Sequence, residues 1–365
     1  MKKVLHIITG LESGGAEKNL FNLVINDKIN DHYIFSLRDY GKYIKIIKKN
    51  KIKVKIFQFN VFNFLYKFFK ISNDINKIRP DLIITWLYHA DFVGGLLGKV
   101  NRVKRIYWNI RSSTLSKQST KFSTNVLRIV LSKLSKLIPN KIIYCAISAK
   151  NIHKKIGYAN KSVHIPNGID VKVFKPNKKK IDNKSCFKIG YLARWDPQKN
   201  FNLAFHAIRL LKEEHFKFKL ILAGEKINKK NYKLKSMIKF YQLEDYVVLL
   251  GEVKNMPNLY NSLDLSIMTS SYGEAFPNVL AESMSCGVPC VSTNIGDASY
   301  IIGSKGWICK KFNPHEFKLY LIKAIRLRNE NLTKWVKLKN DCRKRVEDNF
   351  TLNSMIKNYQ NLIKK

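Results

Sequence analysis

The chain has 365 residues, of which 45% are hydrophobic and 25% are charged. This length and composition are typical of a folded protein with two ordinary domains, and they argue against an intrinsically disordered chain. The net charge of +41 would attract an anionic membrane, a nucleic acid or a phosphorylated substrate. AT-rich coding DNA explains so many lysines equally well.

The distribution of apolar residues, lysines and cysteines along the chain argues against several classes of protein. No apolar run is long enough to span a membrane, and the N-terminal run is too short for a signal peptide, so a cytoplasmic protein is expected. The lysines are dispersed and no nucleic-acid-binding module is recognisable, which argues against a nucleic-acid partner. Because the six cysteines lack paired CxxC spacing, we predict buried thiols and neither a zinc site nor a disulfide framework.

The first half of the chain alternates short apolar runs with helical stretches. The predicted strands are Val4–Ile8, Tyr33–Leu37, Val54–Phe57, Leu82–Trp86, Arg105–Trp108 and Ile142–Ile147. Alternation of this kind, with strands that are apolar almost throughout, indicates a parallel sheet covered by helices on both faces.

Two candidate site segments follow strands in this half. Gly14 and Gly15 lie between the first strand and a helix, where glycine lets backbone amides approach a phosphate, although a tight structural turn is an equally good interpretation. The spacing does not match the dinucleotide fingerprint. His89 follows the fourth strand and would bond a substrate hydroxyl or carry a proton, with a structural core histidine as the alternative.

Two segments of this half combine apolar residues with lysines. Phe62–Lys70 mixes aromatic residues with lysines, and residues 121–137 place apolar residues at helical spacing opposite lysine and arginine. Each is consistent with a helix that faces the core or with docking on an anionic membrane. Together with the net charge, they favour peripheral membrane association.

A segment rich in proline, glycine and lysine then interrupts the pattern, and a second series of strands follows it. These are Phe187–Tyr191, Leu220–Ala223, Val247–Leu250, Leu265–Met268 and Val288–Ser292, with helices such as Asn202–Glu213 and Tyr232–Gln242. We therefore predict two doubly wound α/β domains, residues 1–170 and 186–350, with a linker at 171–185, a cleft between the domains and a last helix at 351–365. In such sheets, ligands bind beyond the carboxyl ends of the strands.

Two cations and two carboxylates follow strands of the second series. Arg194 and Lys199 lie in the loop after Phe187–Tyr191, where they would hold a diphosphate and stabilise the charge that develops as it leaves. Glu274 lies in a loop, and Glu282 lies inside a helix that begins near Pro277, whose N-terminal amides suit an anion. A pair of carboxylates and a helix N-terminus fit a phosphorylated sugar, although isolated acids of this kind are usually solvated.

Together these motifs resemble the retaining GT-B glycosyltransferases of family 4, also called glycosyltransferase group 1, over essentially the whole chain. The most specific element is the E-x7-E motif at Glu274 and Glu282. Supporting matches are Gly14-Gly15-Ala16-Glu17, Ile165-Pro-Asn-Gly-Ile-Asp170 with Phe174 and Pro176, Arg194 with Lys199, and Leu222-Ala-Gly224. The segments that begin at Trp86 and Trp108 are similar to those of members that build bacterial surface polysaccharides.

The resemblance implies a GT-B fold and a role for each matched residue. The N-terminal domain would bind the acceptor, the C-terminal domain would bind the nucleotide sugar, and the last helix would return to the N-terminal domain. Catalytic roles fall to His89, Arg194, Lys199 and Glu274. Donor contacts fall to Gly14, Gly15, Arg194, Lys199, Glu274, Phe276, Pro277, Asn278, Val279, Leu280 and Glu282.

By the same resemblance, Arg194 and Lys199 would hold the donor diphosphate, Glu282 would bond the ribose, and Glu274 and His89 would contact the sugar. Neither a metal nor another cofactor is expected, because the cationic pair offsets the charge of the leaving group. The donor would be a UDP- or GDP-linked sugar. Two departures from the family pattern are Asn200 after the lysine and Gly296-Asp297 in place of a Gly-Gly pair.

The expected function is transfer of a hexose from a nucleotide-diphosphate sugar to a hydroxyl, with a lipid-linked saccharide of O-antigen, capsule or lipopolysaccharide synthesis as the acceptor. The protein would then work at the inner face of the cytoplasmic membrane. Two alternatives stay open. They are a nucleotide-sugar epimerase of related fold and a non-catalytic basic protein that binds a membrane or a nucleic acid.

Overall fold

A computed structural model of the protein describes residues 1–12, 14–38, 41, 43–59, 62–113, 122–177 and 185–365. Over these ranges the chain divides into two compact units. The first unit contains Met1–Gly168 and Leu352–Lys365, and the second contains Ile169–Thr351. The chain therefore passes from one unit to the other at 168–169 and again at 351–352. The predicted linker overlaps the start of the second unit, and its residues 178–184 lie outside the described ranges.

The first unit is built on a parallel sheet that has seven strands within the described ranges. The strands are Lys3–Ile8 (β1), Asp31–Ser36 (β2), Lys53–Ile56 (β3), Leu82–Trp86 (β4), Arg105–Ile110 (β5), Lys141–Tyr144 (β6) and Ser162–His164 (β7). Their order is β3-β2-β1-β4-β5-β6-β7. The order reverses between β1 and β4, and ligands bind such sheets beyond the carboxyl ends of the strands at this reversal.

Helices cover both faces of the first sheet. They are Gly15–Asn26 (α1), Ile44–Lys49 (α2), Phe64–Ile78 (α3), Tyr88–Val100 (α4), Phe122–Leu134 (α5), Ile147–Lys155 (α6) and the C-terminal helix Leu352–Lys364. Alternate residues of β1 are buried on opposite faces of the sheet. Val4 packs in the core with α1 and the C-terminal helix, whereas Leu5 packs in the core with α3 and α4. This double burial explains why β1 is apolar over most of its length.

The C-terminal helix is bound to the first sheet by specific contacts. The ring of Tyr359 stacks on Trp86 at 6.2 Å, and its hydroxyl accepts a hydrogen bond of 2.8 Å from the side-chain amide of Asn109. Arg105 donates to the carbonyl of Ile363 at 2.8 Å. The last helix therefore belongs to the first unit, although the whole second unit precedes it in the chain.

The second unit is built on a parallel sheet with six strands in the part of the chain that the structure describes. The strands are Phe187–Leu192 (β8), Phe218–Ala223 (β9), Val247–Leu249 (β10), Leu265–Met268 (β11), Cys290–Thr293 (β12) and Trp307–Cys309 (β13). Their order is β10-β9-β8-β11-β12-β13. Here the reversal lies between β8 and β11, so the segments that follow these two strands share one edge of the sheet.

The helices of the second unit are Phe201–Lys212 (α7), Tyr232–Phe240 (α8), Met256–Asn261 (α9), Asn278–Ser285 (α10), Ala298–Ile302 (α11), Pro314–Glu330 (α12) and Leu332–Asn349 (α13). Phe187, Phe205 and Trp335 are fully buried at the centre of one of its hydrophobic clusters. The predicted α/β class with two doubly wound parallel sheets is confirmed.

Two predicted strands overrun the observed strands by two residues or more. Ile142–Ile147 is too long, because β6 ends at Tyr144 and Ile147 begins α6. Val288–Ser292 begins too early, because β12 starts at Cys290, directly after a proline that has no backbone N–H to donate to a ladder.

The predicted burial of the thiols is confirmed for five of the six cysteines, whereas Cys186 is only partly buried. Within the described ranges, none of the six forms a disulfide. Burial, together with the nearby Glu282 carboxylate, raises the pKa of Cys286 to about 12, so this thiol stays protonated and unreactive. Over the described ranges, no helix is long and apolar enough to cross a bilayer.

Candidate active site

The predicted cation and carboxylate after β8 and β11 meet at the carboxyl edge of the second sheet. Lys199 ends a 3-10 turn, Pro197–Lys199, that follows β8, and Glu274 lies in the loop after β11. Because β8 and β11 are neighbours in the sheet, residues 75 positions apart come into contact. The Nζ of Lys199 donates to Oε1 of Glu274 at 2.5 Å.

This ion pair is largely shielded from water and is held by further hydrogen bonds. The side chains of Lys199 and Glu274 are only 17% and 12% exposed. Oε1 of Glu274 also accepts from the hydroxyl of Ser270 at 2.8 Å and from the side-chain amide of Gln198 at 3.1 Å. Charge-assisted hydrogen bonds are stronger where water is scarce, so the carboxylate is fixed in one position before any ligand binds.

The backbone that carries Lys199 is also fixed. Its carbonyl oxygen accepts hydrogen bonds from the hydroxyls of Tyr191 and Thr269. Asn200 has a φ of 51°, a left-handed conformation that asparagine adopts more readily than most residues, and its side chain caps α7 at the amide of Leu203. Asparagine therefore serves as both turn and cap at the position where the family pattern has glycine.

Arg194 has a separate partner. Its Nε donates to Oδ2 of Asp196 at 3.0 Å, and its side chain is 55% exposed. The loop that bears it lies directly against Gly224, where a Cβ atom would come within 2.2 Å of the Ala193 carbonyl oxygen. Arg194 and Lys199 thus leave the same strand, but each is paired with its own carboxylate.

Glu282, the second carboxylate of the E-x7-E motif, lies in the middle of α10 and is only 7% exposed. The hydroxyl of Tyr260 donates to its Oε2 at 3.0 Å. Burial and this carboxylate raise the pKa of Tyr260, so the phenol remains a donor. Phe174 packs edge-on against Tyr260 with ring centroids 6.0 Å apart, so Phe174 supports the tyrosine that holds the carboxylate.

The predicted donor segment Phe276–Leu280 spans the N-terminus of α10, with Pro277 as the N-cap and Asn278 as the first helical residue. Phe276 is buried against Phe350, the side chain of Leu280 is fully buried, and the amide of Leu280 donates to the carbonyl of Pro277 at 3.1 Å. Neither of these two side chains is open to a ligand. An anion would therefore meet the N-terminal turn of α10 at Asn278 and Val279, where a helix presents backbone amides.

Gly296 supports the loop that carries Glu274. It has a φ of +61°, and a Cβ atom there would come within 2.4 Å of the Glu274 carbonyl oxygen. The next residue, Asp297, is buried and donates its amide to the carbonyl of Ala275 at 2.8 Å. Gly296 and Asp297, the second departure from the family pattern, thus hold the backbone of the loop that carries Glu274.

The remaining predicted site residues lie in the first unit. Gly14 is the N-cap of α1 and Gly15 is its first residue. A Cβ atom at Gly14 would come within 2.3 Å of a carboxylate oxygen of Glu17. The absence of a side chain at Gly14 therefore leaves room for the carboxylate of Glu17. Burial raises the pKa of Glu17.

His89 is the second residue of α4, and its side chain is accessible to solvent. Partial desolvation and the nearby Arg38 cation lower its pKa, which favours the neutral imidazole. The interpretation of His89 as a structural core histidine is therefore wrong. A neutral ring retains one donor and one acceptor nitrogen for a ligand.

Four residues of this arrangement were not predicted from the sequence. Gln198 and Ser270 were missed although they adjoin predicted loops, and Gly296 was noted only as a departure. Tyr260 gave no signal, because a tyrosine in α9 is indistinguishable from an ordinary core residue. Within the described ranges, no cluster of histidine, cysteine, aspartate or glutamate could hold a metal ion.

Two Rossmann-type units in one chain are the architecture of the GT-B class of enzymes, and here a shielded lysine–carboxylate pair lies at the edge of the second sheet. Residues 173–345 match the family model of glycosyl transferases group 1. This match lies within the second unit, and the protein is a glycosyltransferase.

Similarity to known proteins extends beyond this domain. The chain is 26% identical over 310 residues to the putative glycosyltransferase EpsF of Bacillus subtilis, covering 80% of this chain and 78% of that protein. It is also 26% identical over 211 residues to UDP-Gal:alpha-D-GlcNAc-diphosphoundecaprenol alpha-1,3-galactosyltransferase of Escherichia coli, covering 54% of this chain and 48% of that protein.

Two solved structures share the fold over the whole chain. Anabaena Alr3699/HepE in complex with UDP-glucose has a TM-score of 0.84 at 20% identity, with 100% of both chains covered. A glycosyltransferase from Rickettsia africae also has a TM-score of 0.84 at 20% identity, covering 100% of this chain and 98% of that chain. At this level of identity, the likeness establishes the fold.

Proposed function

We propose that the protein is a retaining glycosyltransferase of the family 4 type that transfers a hexose from a nucleotide-diphosphate sugar to a hydroxyl group. The observation that carries the proposal is the shielded pair of Lys199 and Glu274 at the carboxyl edge of the second sheet. A cation placed there stabilises the diphosphate as it leaves. A carboxylate beside it orients the sugar through its hydroxyls.

The other residues complete the donor site in this proposal. Arg194 reaches the diphosphate from the same loop, and the N-terminal turn of α10 adds backbone amides. Glu282, held by Tyr260, accepts hydrogen bonds from the ribose hydroxyls. His89 contacts the transferred sugar or the acceptor as a neutral imidazole. The cations offset the charge of the leaving group, so the reaction needs no metal ion.

We propose uridine as the base of the donor, because the similar Anabaena protein is seen with UDP-glucose. A thermal-shift panel of UDP- and GDP-linked hexoses tests this. A bound donor stabilises the folded state by mass action, so one UDP-sugar should raise the Tm while the matching GDP-sugar does not. If no nucleotide sugar raised the Tm, the proposal would fail, and a product of inverted anomeric configuration would contradict retention.

The epimerase alternative differs from a transferase in whether the reaction requires an acceptor. An epimerase would convert the nucleotide sugar without an acceptor, whereas a transferase releases the nucleotide diphosphate only as fast as an acceptor is glycosylated. Release that depends on an added saccharide acceptor therefore separates the two.

For the acceptor we propose a lipid-linked saccharide of bacterial surface polysaccharide synthesis. The Escherichia coli relative is named for a diphosphoundecaprenol acceptor, and another relative from that organism is an O-antigen chain mannosyltransferase. Such an acceptor lies at the membrane surface, so the proposed location is the inner face of the cytoplasmic membrane.

Two exposed apolar helix surfaces in the first unit support membrane docking. Leu65 and Phe69 of α3 are each 70% exposed, and Ile129 of α5 is 60% exposed. The exposed Lys70 and Lys133 lie on the same two helices. Apolar residues flanked by lysines favour the surface of an anionic bilayer.

We expect the protein to float with vesicles that contain phosphatidylglycerol, and to float less at high salt, which screens the lysines. A Phe69→Asn, Ile129→Asn double variant should lose flotation. Ile29→Asn is the matched control, because Ile29 is 61% exposed just after α1, which packs on the face of the sheet opposite α3. Wild-type protein that stayed in the soluble fraction at low salt would rule out membrane docking.

A further inference from the structure

The first unit contains a cavity of 340 Å³ beyond the carboxyl ends of β1 and β2, next to His89. Its walls are mainly apolar, formed by Leu37, Phe59, Phe64, Phe92, Val93 and Leu127. The volume lies at the low end of the range for small-molecule sites, about 300–1,000 Å³. The cavity therefore suits a short apolar segment of a larger ligand.

The polar side of the cavity is cationic. Arg38 follows β2 and lies over the cavity, because its backbone amide donates to the carbonyl of Thr9 at 2.9 Å. Its guanidinium is exposed and close enough to His89 to lower the pKa of that ring. None of the described residues that line the cavity is acidic. The cavity thus combines apolar walls with a cation that can accept an anionic group.

The helices that line the cavity also carry the exposed apolar residues. Phe64 of α3 and Leu127 of α5 form part of the wall, while Leu65 and Val126, next to them in sequence, are 70% and 43% exposed. The helix α4 packs against both α3 and α5. An apolar chain that leaves the cavity between these helices would therefore reach apolar surface before it reached water.

We propose that this cavity binds the head of the lipid carrier of the acceptor, with the first apolar units of the chain in the cavity and the phosphate nearest the chain on Arg38. This inference rests on the proposed function and names the part of the acceptor that unit 1 recognises. A water-soluble sugar acceptor would have no use for three phenylalanine rings around its site. A neutral lipid would leave the exposed Arg38 guanidinium beside His89 without an anionic ligand.

The test uses farnesyl diphosphate as the probe. Inorganic diphosphate represents its anionic part alone, and farnesol represents its apolar part alone. Titration calorimetry of the full-length protein should give at least tenfold tighter binding of farnesyl diphosphate than of either half, since only the intact probe uses both apolar walls and cation. Arg38→Ala should weaken that binding by about tenfold, because a charge-assisted hydrogen bond is lost.

A second variant tests the apolar wall. Leu127→Asn should weaken farnesyl diphosphate by about tenfold and leave inorganic diphosphate unchanged. Arg102→Ala and Val100→Asn are the matched controls. Val100 ends α4 and Arg102 lies two residues beyond it, both are exposed, and His89 lies at the other end of this helix, so neither change should alter binding. Equal affinity for farnesyl diphosphate and inorganic diphosphate, or wild-type affinity in both Arg38→Ala and Leu127→Asn, would overturn the inference.

The failure of this inference is distinguishable from failure of the proposed function. Stabilisation by a nucleotide sugar reports the second unit and should be the same in wild type, Arg38→Ala and Leu127→Asn. If the nucleotide sugar stabilises the protein but farnesyl diphosphate binds no better than its halves, the lipid site alone is wrong. If farnesyl diphosphate binds as expected and no nucleotide sugar does, the transferase proposal is wrong.

Discussion

Lys199→Ala should lower kcat by about a hundred- to a thousandfold, the usual consequence of removing one well-placed electrostatic contact from a transition state. Lys199 is the cation of the shielded pair, and its loop is held by Tyr191 and Thr269, so its charge is preorganised. The loss should fall on kcat more than on KM, because the diphosphate gains charge only as the bond to the sugar breaks. Steady-state kinetics with the preferred donor measures both constants.

Part of the loss would come through Glu274, which the substitution leaves without its cation. Gln198 and Ser270 still hydrogen-bond to that carboxylate, so the loop should keep its position and the Tm should stay close to that of the wild type. A Lys199→Ala, Glu274→Gln double variant should therefore be much less impaired than the product of the two single effects, since the residues act as a unit.

The matched control is Lys305→Ala. Lys305 forms an ion pair of 2.9 Å with Asp341 in the same unit, and its side chain is 35% exposed. Removing this pair should change neither kcat nor KM, because surface ion pairs contribute little. Wild-type turnover in Lys199→Ala, or an equal loss in Lys305→Ala, would contradict the role given to Lys199.

The central strands could be predicted from sequence because each is buried on both faces. Leu82–Trp86 and Leu265–Met268 were predicted with the observed boundaries, since every residue in them is buried. The strands β7 and β13 were missed for the opposite reason. Each has three residues at the edge of its sheet, and none of the residues of β7 is buried, so neither gives a continuous apolar run.

The candidate site could be predicted only as far as the rule that ligands bind beyond strand ends. That rule selected Lys199 and Glu274, but nothing in the sequence specified that the two side chains bond to each other. The contact depends on strand order, which places β8 beside β11 although β9 and β10 lie between them in the chain. The supporting contacts of Tyr260 and Gly296 likewise depend on packing between elements distant in sequence.

The pairing of the cations with carboxylates has a consequence for donor binding. Lys199 is bound to Glu274, and Arg194 is bound to Asp196. Because each carboxylate offsets part of the positive charge beside it, each cation attracts a diphosphate less strongly than an unpaired cation would. Arg194 is the more exposed of the two and can turn to a ligand at less cost in desolvation. We therefore expect Arg194 to contribute more to the capture of the donor and Lys199 more to its cleavage.

We expect Glu274→Gln to act mainly on kcat and Glu282→Gln mainly on the KM for the donor. The reason is that the two carboxylates of the E-x7-E motif are assigned to different parts of the donor. Glu274→Gln should lower kcat by about a hundredfold, since a charge beside the sugar is lost where water is scarce. It should leave stabilisation by the nucleotide diphosphate alone unchanged. Kinetics and thermal shift on the same preparations measure the two quantities.

Glu282→Gln should instead raise the KM for the donor and reduce stabilisation by the nucleotide diphosphate, with a smaller change in kcat, because a ribose contact is made equally in the ground and transition states. The buried amide can still accept the hydrogen bond of Tyr260, so the fold should persist. Glu214→Gln is the control, since Glu214 pairs with Lys318 at the far end of α7. If both motif variants lost kcat alone, or both lost nucleotide affinity alone, the division of the motif into a sugar contact and a ribose contact would be wrong.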